Sequence, residues 1–242
     1  REEGIELHLD TPVDGMLGED RVEAIAAGDA DVAVDLALVG VGVAPNTELA
    51  ENGGIETGPT GAIATDEYGR TNDEHVYAAG DNAEMTHVVT GDPDHVPLAL
   101  TANRAGRAIG ATVAGDPTPV GEIAGTAAVK AFDLEVARTG VIDEALAREA
   151  GFDPVSVTIT AESRAHYYPG GEEIEITMVG DRESERVLGA SMVGREGVAK
   201  RIDTVAAALH AELTVHQLSY LDLAYAPPFS PVWDPVLTTA KV

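Results

Sequence analysis

Apolar and polar positions alternate along several stretches of this chain and give way elsewhere to runs that are apolar throughout. Ile5-Glu6-Leu7-His8-Leu9 alternates as a half-buried strand does. Arg21 to Ala27 reads as a short strand, and Val32 to Val39 (VAVDLALV) is a near-continuous apolar run, the pattern of a strand buried on both faces. It exits into Gly40-Val41-Gly42-Val43-Ala44-Pro45-Asn46. Glu48 to Asn52 predicts a helical turn, and Gly53-Gly54 and Gly58-Pro59-Thr60-Gly61 predict turns. Ile63 to Thr65 and Val76 to Ala78 predict short strands. Pro97 suits a first helical position and predicts a helix to about Ala114. Alanine and glycine dominate that helix (LALTANRAGRAIGATVAG), so it should pack closely against a neighbour. Gly115-Asp116-Pro117-Thr118-Pro119 is the best linker candidate, since two prolines stop both helix and central strand.

Beyond residue 119 the texture changes. Thr126 to Phe132, Glu135 to Thr139, Val155 to Thr160, Glu173 to Val179 and Val187 to Val193 predict strands. Glu173-Ile174-Glu175-Ile176-Thr177-Met178-Val179 alternates cleanly, as antiparallel strands do. Asp143 to Ala150 predicts a short helix, capped by Asp143 and stopped by Gly151. Val198, Ile202, Val205, Ala206 and Leu209 lie on one face of a helix from about Glu196 to Glu212. Strands followed by a helix point to an α+β domain.

Composition narrows the classes. The 242 residues are 44% apolar, which is globular, and long enough for one large domain or two small ones. Asp and Glu number 42 against 15 Lys and Arg, a formal charge of −27. Nucleic acid and anionic membrane surfaces need a basic footprint, so neither is an expected partner. No apolar run reaches a membrane span and no charged-then-apolar leader is present. The charge points to a cytoplasmic protein adapted to high salt, as haloarchaeal proteins are; the plain alternative is an ordinary acidic protein. Cysteine is absent, which excludes disulfides, thiolate metal sites and a cysteine nucleophile within this chain. Residue 1 is an arginine inside an alternating pattern, and the expectation is a fragment of a longer protein.

The sharpest chemical segment is Thr71-Asn72-Asp73-Glu74-His75-Val76-Tyr77-Ala78-Ala79-Gly80-Asp81. A short strand ends in small residues, which let a ligand lie against the backbone, and in a carboxylate, which can accept from polyol hydroxyls. Read alone, Gly80-Asp81 is as well explained by a turn. The helix opening at Pro97 adds an amino terminus that favours negative charge. Tyr225, in Ala-Tyr-Ala-Pro-Pro, sits on a stiff segment that either fixes a hydroxyl or merely packs a tail, and Tyr167 has the same ambiguity. The seven histidines show no metal spacing, and His87 and His95 read as exposed loop residues.

At this point the chain resembles the FAD-dependent pyridine nucleotide-disulfide oxidoreductases. VGVGVAPNTEL is similar to the segment leaving the family's nicotinamide-binding domain, TNDEHVYAAGD to its second FAD motif, and PLALTANRAGRAIG to the helix facing the flavin pyrimidine edge. Tyr167-Tyr168-Pro169-Gly170-Gly171, Gly194 to Gly197 with Lys200 to Asp203, and Leu223 to Pro231 resemble the dimerisation domain of the coenzyme A-disulfide reductase and NADH oxidase branch. The resemblance implies an α/β remnant of Rossmann-like NAD(P)- and FAD-binding domains, followed by an α+β dimerisation domain with an antiparallel sheet. It divides the chain into the tail of the NAD(P)H-binding domain (1–43), the second FAD segment (44–116) and the dimerisation domain (117–242).

The resemblance further implies a homodimer using FAD and NAD(P)H, with a small-molecule disulfide, or alternatively oxygen, as electron acceptor. Asp81 would hold the ribityl chain, with Thr71, Tyr77, Ala79, Gly80, Pro97, Leu98, Ala99, Thr101 and Gly42 as the other cofactor-binding residues. Tyr225 and Tyr167 would be catalytic at a site shared between subunits. Asn103, Tyr167 and Trp233 would contact substrate; some coenzyme A-disulfide reductases carry histidine and lysine at the positions of Asn103 and Trp233. No GxGxxG loop follows a strand, and Gly40-x-Gly42 leads to Pro-Asn rather than a helix. The chain by itself is therefore expected to be inactive, lacking a pyrophosphate loop and a redox cysteine. A non-catalytic dimerisation module is the rival from a different class.

Overall fold

Short antiparallel ladders, rather than a buried parallel strand, build the amino-terminal unit. The computed structural model describes residues 4–242. One unit ends at Val43 and a second runs from Ala44 to Val242. In the first, β1 (Val13–Leu17), β2 (Ala24–Ala27) and β3 (Ala30–Ala33) form an antiparallel sheet in sequence order, with a bulge between Val13 and Gly15. Ile5 to Leu9 forms no strand. The run Val32 to Val39 departs from expectation too: the ladder ends with Val34 N–H donating to Glu23, and Leu36 and Leu38 are exposed. An apolar run becomes a buried strand only where strands flank it, and none of the described residues pairs with 35–43.

The second unit opens with α1 (Glu48–Asn52) and a turn-rich stretch. The strands expected at Ile63–Thr65 and Val76–Ala78 are isolated bridges, Ile63 to Thr57 and to Ala83, and Tyr77 to Arg70. Closely spaced Gly-Asp and Asp-Glu turns leave no room for a ladder there. β4 (Met85–Thr86) pairs with β5 (Pro93–Asp94). α2 (Ala99–Val113) buries Ala105 and Ala108 against Met85, Val120 and Ile123. Its glycines do not make the close approach: Gly106 and Gly110 have open space about them, and the near contact comes from Ile109, against the glycine of a neighbouring turn. A Cβ at Gly69 would lie only 2.5 Å from Ile109 Cδ1.

α2 starts at Ala99 rather than at Pro97. The Leu98 N–H donates to the Val96 carbonyl at 2.8 Å, closing a three-residue turn about Pro97, whose fixed φ suits it. Leu98 is thus the extended residue before the helix.

The rest of the unit is a five-stranded antiparallel sheet. It comprises β6 (Ala127–Ala131), β7 (Leu134–Gly140), β8 (Pro154–Glu162), β9 (Glu173–Asp181) and β10 (Val187–Gly194), in the order β6-β7-β10-β9-β8. The alternation in β9 puts Ile174, Ile176 and Met178 in the core and Glu173 and Glu175 in solvent. α3 (Glu144–Glu149) follows β7, with the Asp143 carboxylate accepting from Ala145 N–H at 2.7 Å. α4 (Val198–His210) packs Val198, Ile202, Val205 and Leu209 on the sheet. Glu135 on β7 accepts from the Val198 and Ala199 amides and so anchors its start. α5 (Val215–Ser219) and α6 (Pro235–Thr239) close the core.

The segment 115–119 is not a free linker. Thr112 Oγ1 accepts from Thr118 N–H at 3.0 Å, and Val120 N–H donates to Glu67. Val88 and Val89 share one core with Ile174 and Leu188, so residues on both sides of the segment bury together.

Candidate functional site

The expected cofactor residues of the second unit gather where the Gly80-Asp81 turn meets the start of α2. Gly80 has φ +83°, and a Cβ built on it would sit 3.6 Å from Ala102 Cβ in the first turn of the helix. The Asp81 carbonyl is bound to His95 Nε2 at 2.7 Å, which ties the turn to the strand leading into Pro97. The Asp81 carboxylate points to solvent and makes no hydrogen bond among the described residues. α2 begins with no side-chain cap and no acidic residue in its first turn. The amides of Ala99, Leu100 and Thr101 therefore have no intrahelical acceptor, and the positive end of the dipole faces outward.

The neighbouring positions are more structural. The Thr71 hydroxyl donates to the Val76 and Asp73 carbonyls and closes the 71–76 turn. Tyr77 is half-buried and partners the Arg70 guanidinium, holding its pKa above the ordinary value. Ala79 is exposed beside Gly80. Gly42, at φ +88° and with open space about its Cα, belongs to the first unit. Asn103 donates to the Ala99 carbonyl at 3.2 Å along the exposed side of α2.

Two histidines differ from the expectation of exposed loop residues. His87 is buried, its Nδ1 accepts from Val89 N–H, and burial lowers its pKa against the opposing pull of Asp94 and Glu122. His95 is half-buried and holds the Asp81 backbone. His87 is seated by its bridge to Ile123 and by its backbone N–H, which donates to the Asp92 carbonyl, contacts that spacing in the sequence does not reveal.

A second cluster forms 58 residues apart in sequence. Tyr167 Oη and Tyr225 Oη lie 2.8 Å apart, on two loops that both face solvent. The bond to Tyr167 holds the Tyr225 phenol above the usual tyrosine pKa. Arg164 and Glu196 form a two-pronged ion pair at the foot of the Tyr167 loop. Its bonds from Arg164 and then Ser163 pull the Glu196 carboxyl below the usual range against partial desolvation. Ala165 N–H donates to Pro227 and joins the two loops. Trp233 is exposed on the same carboxyl-terminal segment, with the Lys241 ammonium over its ring. Sequence reading singled out neither Arg164 nor Glu196 for this task, because their pairing appears only when the loop after β8 folds back on the start of α4.

Two family models match the chain, pyridine nucleotide-disulphide oxidoreductase over residues 1–106 and its dimerisation domain over residues 126–235. The chain belongs to the pyridine nucleotide-disulphide oxidoreductases. Among this family's curated members, an NAD(P)H coenzyme A polysulfide/persulfide reductase of Pyrococcus horikoshii is 43% identical over 225 residues, 93% of this chain and 50% of the relative. An NADH oxidase of Methanocaldococcus jannaschii is 34% identical over 242 residues, 99% of this chain and 53% of the relative. The solved NAD-dependent persulfide reductase of A. fulgidus superposes with a TM-score of 0.94 at 41% identity, over 99% of this chain and 44% of that one. The chain thus spans about half the length of the curated oxidoreductases it matches. The fold is the family's, and the match to the dimerisation domain covers the β6–β10 sheet and both tyrosine loops.

Proposed function

We propose that, in a protein of its relatives' length, this chain supplies the second half of a homodimeric FAD-dependent NAD(P)H oxidoreductase that reduces a coenzyme A disulfide or persulfide. The single observation that carries this reading is the Tyr167–Tyr225 hydroxyl pair. A sulfur leaving as thiolate is stabilised by a hydrogen bond, and in a pair of phenols one hydroxyl donates to the other, so the second keeps its own O–H to donate to the sulfur. The 43% identity to a coenzyme A persulfide reductase points the same way.

The residues present fit a flavin. The Asp81 carboxylate is free to accept from polyol hydroxyls, Ala79 and Gly80 present only small groups, and the uncapped start of α2 faces outward. When bound, FAD supplies hydride acceptance from NAD(P)H and electron delivery to a disulfide. This chain's own part is narrower. Asp81 orients, the Ala99 to Thr101 amides favour negative charge, and the tyrosines hold a proton at the sulfur. Pro97 and Leu98 aim those amides through the turn that precedes the helix. Asn103, one turn further on, and Trp233 are the proposed substrate contacts, Gly42 a further cofactor contact, and 1–43, 44–116 and 117–242 the proposed divisions.

The second reading is an NADH oxidase, favoured by the match to the Methanocaldococcus jannaschii oxidase along 99% of this chain. The test is to express the protein at the relatives' length and follow NAD(P)H oxidation with coenzyme A disulfide under argon. Continued oxidation with release of free thiol is expected. Oxidation that requires oxygen would replace this reading with the second, and an absence of bound flavin would leave only a dimerisation module.

A further inference from the structure

The loops carrying Tyr167 and Tyr225 converge on one side chain of α4. Arg201 is nearly enclosed, with 11% of its side chain exposed. Its Nε donates to Asp234 Oδ2 at 2.9 Å. Its Nη2 donates to two carbonyls, Ser163 at 2.9 Å and Phe229 at 3.2 Å, and Nη1 donates to Gly197 at 3.2 Å. Ser163 precedes Tyr167 by four residues, and Phe229 follows Tyr225 by four. One nitrogen therefore holds the root of each tyrosine loop.

The surroundings are built for this fork. Asp234 also accepts from Ser230 Oγ at 3.1 Å and caps α6 through Val236 N–H at 2.9 Å, so the carboxylate is itself fixed. Gly197 has φ +77°, and a Cβ there would collide with Arg201 Nη1. The Arg164–Glu196 pair braces the Tyr167 loop but does not reach the 225–229 segment. Among the described residues, the direct tie between the loops' backbones is the 3.3 Å bond from Ala165 to Pro227.

We infer that Arg201 is the positioning residue of the tyrosine pair: its guanidinium sets the distance between the two loops so that their hydroxyls meet. The inference rests on the reading of that pair as the sulfur-facing group. Arg201 touches neither hydroxyl and acts only through the two carbonyls it holds. A lysine can keep the ion pair with Asp234, but a single ammonium lacks the planar fork that spans both loops.

The test uses the 242-residue chain and the variants Arg201→Lys, Arg201→Met and Tyr167→Phe. The readout is ultraviolet titration of the phenols, with Tyr225→Phe built into each background to isolate Tyr225. Far-ultraviolet dichroism and the fluorescence of Trp233, the sole tryptophan, report on folding. In the parent chain Tyr225 ionises above an ordinary tyrosine. The expected result is loss of that upward displacement in all three variants, with the dichroism of Arg201→Lys unchanged. Three results would overturn the inference. In the first, Arg201→Lys keeps the displaced titration while Tyr167→Phe loses it, which leaves the pair standing and removes Arg201 from it. In the second, both Arg201 variants lose the fold, which makes the residue a general prop. In the third, Tyr167→Phe leaves Tyr225 unmoved, which shows that the pair itself is absent.

Discussion

A left-handed backbone strains any residue with a Cβ, and Gly80 occupies one at φ +83°. The nearest atom to a new Cβ would be Ala102 Cβ at 3.6 Å, an ordinary contact, so space is not the obstacle. Gly80→Ala should therefore cost about 1–2 kcal/mol through φ alone. Gly80→Asn should cost less, since asparagine tolerates this region better. Urea midpoints check both, and an alanine variant as stable as the parent would mean that the turn is not held in place by His95. At the same scale, Glu196 ionises below its ordinary range because Arg164 and then Ser163 bond to it. A depressed folded pKa stabilises above the ordinary glutamate value and loses that contribution as pH falls through the folded one. The pair is part-exposed, so its contribution is small. Thermal melts between about pH 5 and pH 3 should thus drop less steeply in Glu196→Gln than in the parent. Parallel curves would show that the ion pair adds nothing. Tyr225 runs the other way: its raised folded pKa stabilises below the ordinary tyrosine value and the contribution fades as pH rises through the folded one.

Elements with strong periodicity were legible in the sequence, and elements defined by partners were not. β9 reads as an antiparallel strand because glutamates alternate with Ile174, Ile176 and Met178, and it forms as read. α3 reads from its cap, and the Asp143 carboxylate does accept from Ala145 N–H. Asp143→Ala should lower stability by about 1 kcal/mol, measured by urea unfolding. The apolar face of α4 likewise lies on the sheet, with Ile202 wholly buried. Ile202→Ala should lower stability by about 2–5 kcal/mol, and a smaller loss would mean that the core collapses around the gap. Val32 to Val39 shows the limit of such reading. Its composition specifies burial, but only flanking strands can deliver it, and Leu36 and Leu38 face solvent here. Pro97 shows another, since a proline that starts helices also closes a three-residue turn, and the Leu98–Val96 bond decides between them. The tyrosine pair is the clearest case. Nothing in local pattern links Tyr167 to Tyr225, and only likeness to a family brought both forward; Arg201, which holds both loops, carried no local signal at all.

A formal charge of −27 acts on the molecule as a whole, because like charges at this density repel across the surface at any distance the solvent leaves unscreened. Few cations are placed to relieve it. Among the described residues the ion pairs are both local, such as Glu144 with Arg148 and Asp203 with Lys200, and long-range, such as Arg182 with Asp153 and Arg201 with Asp234, and most of the described carboxylates face water. Screening shortens from about 10 Å at 0.1 M salt to about 3 Å at 1 M, so added salt should raise the melting temperature of the chain steadily across that range. The same repulsion opposes the homodimer proposed for the domain matched at residues 126–235. Two copies meet most easily through uncharged surface, and Leu223 to Trp233 is eleven residues without a charge, bearing the exposed Tyr225, Phe229 and Trp233. Apolar association between like-charged bodies tightens as salt screens the repulsion, whereas association through opposite charges weakens. Sedimentation at about 0.1 M and 1 M potassium chloride distinguishes them. A dimer fraction that grows with salt, and that Phe229→Ser reduces at both concentrations, is the expected outcome. A dimer that dissociates in salt would place the contact on charged surface instead, and would remove the Leu223 to Trp233 segment from the interface.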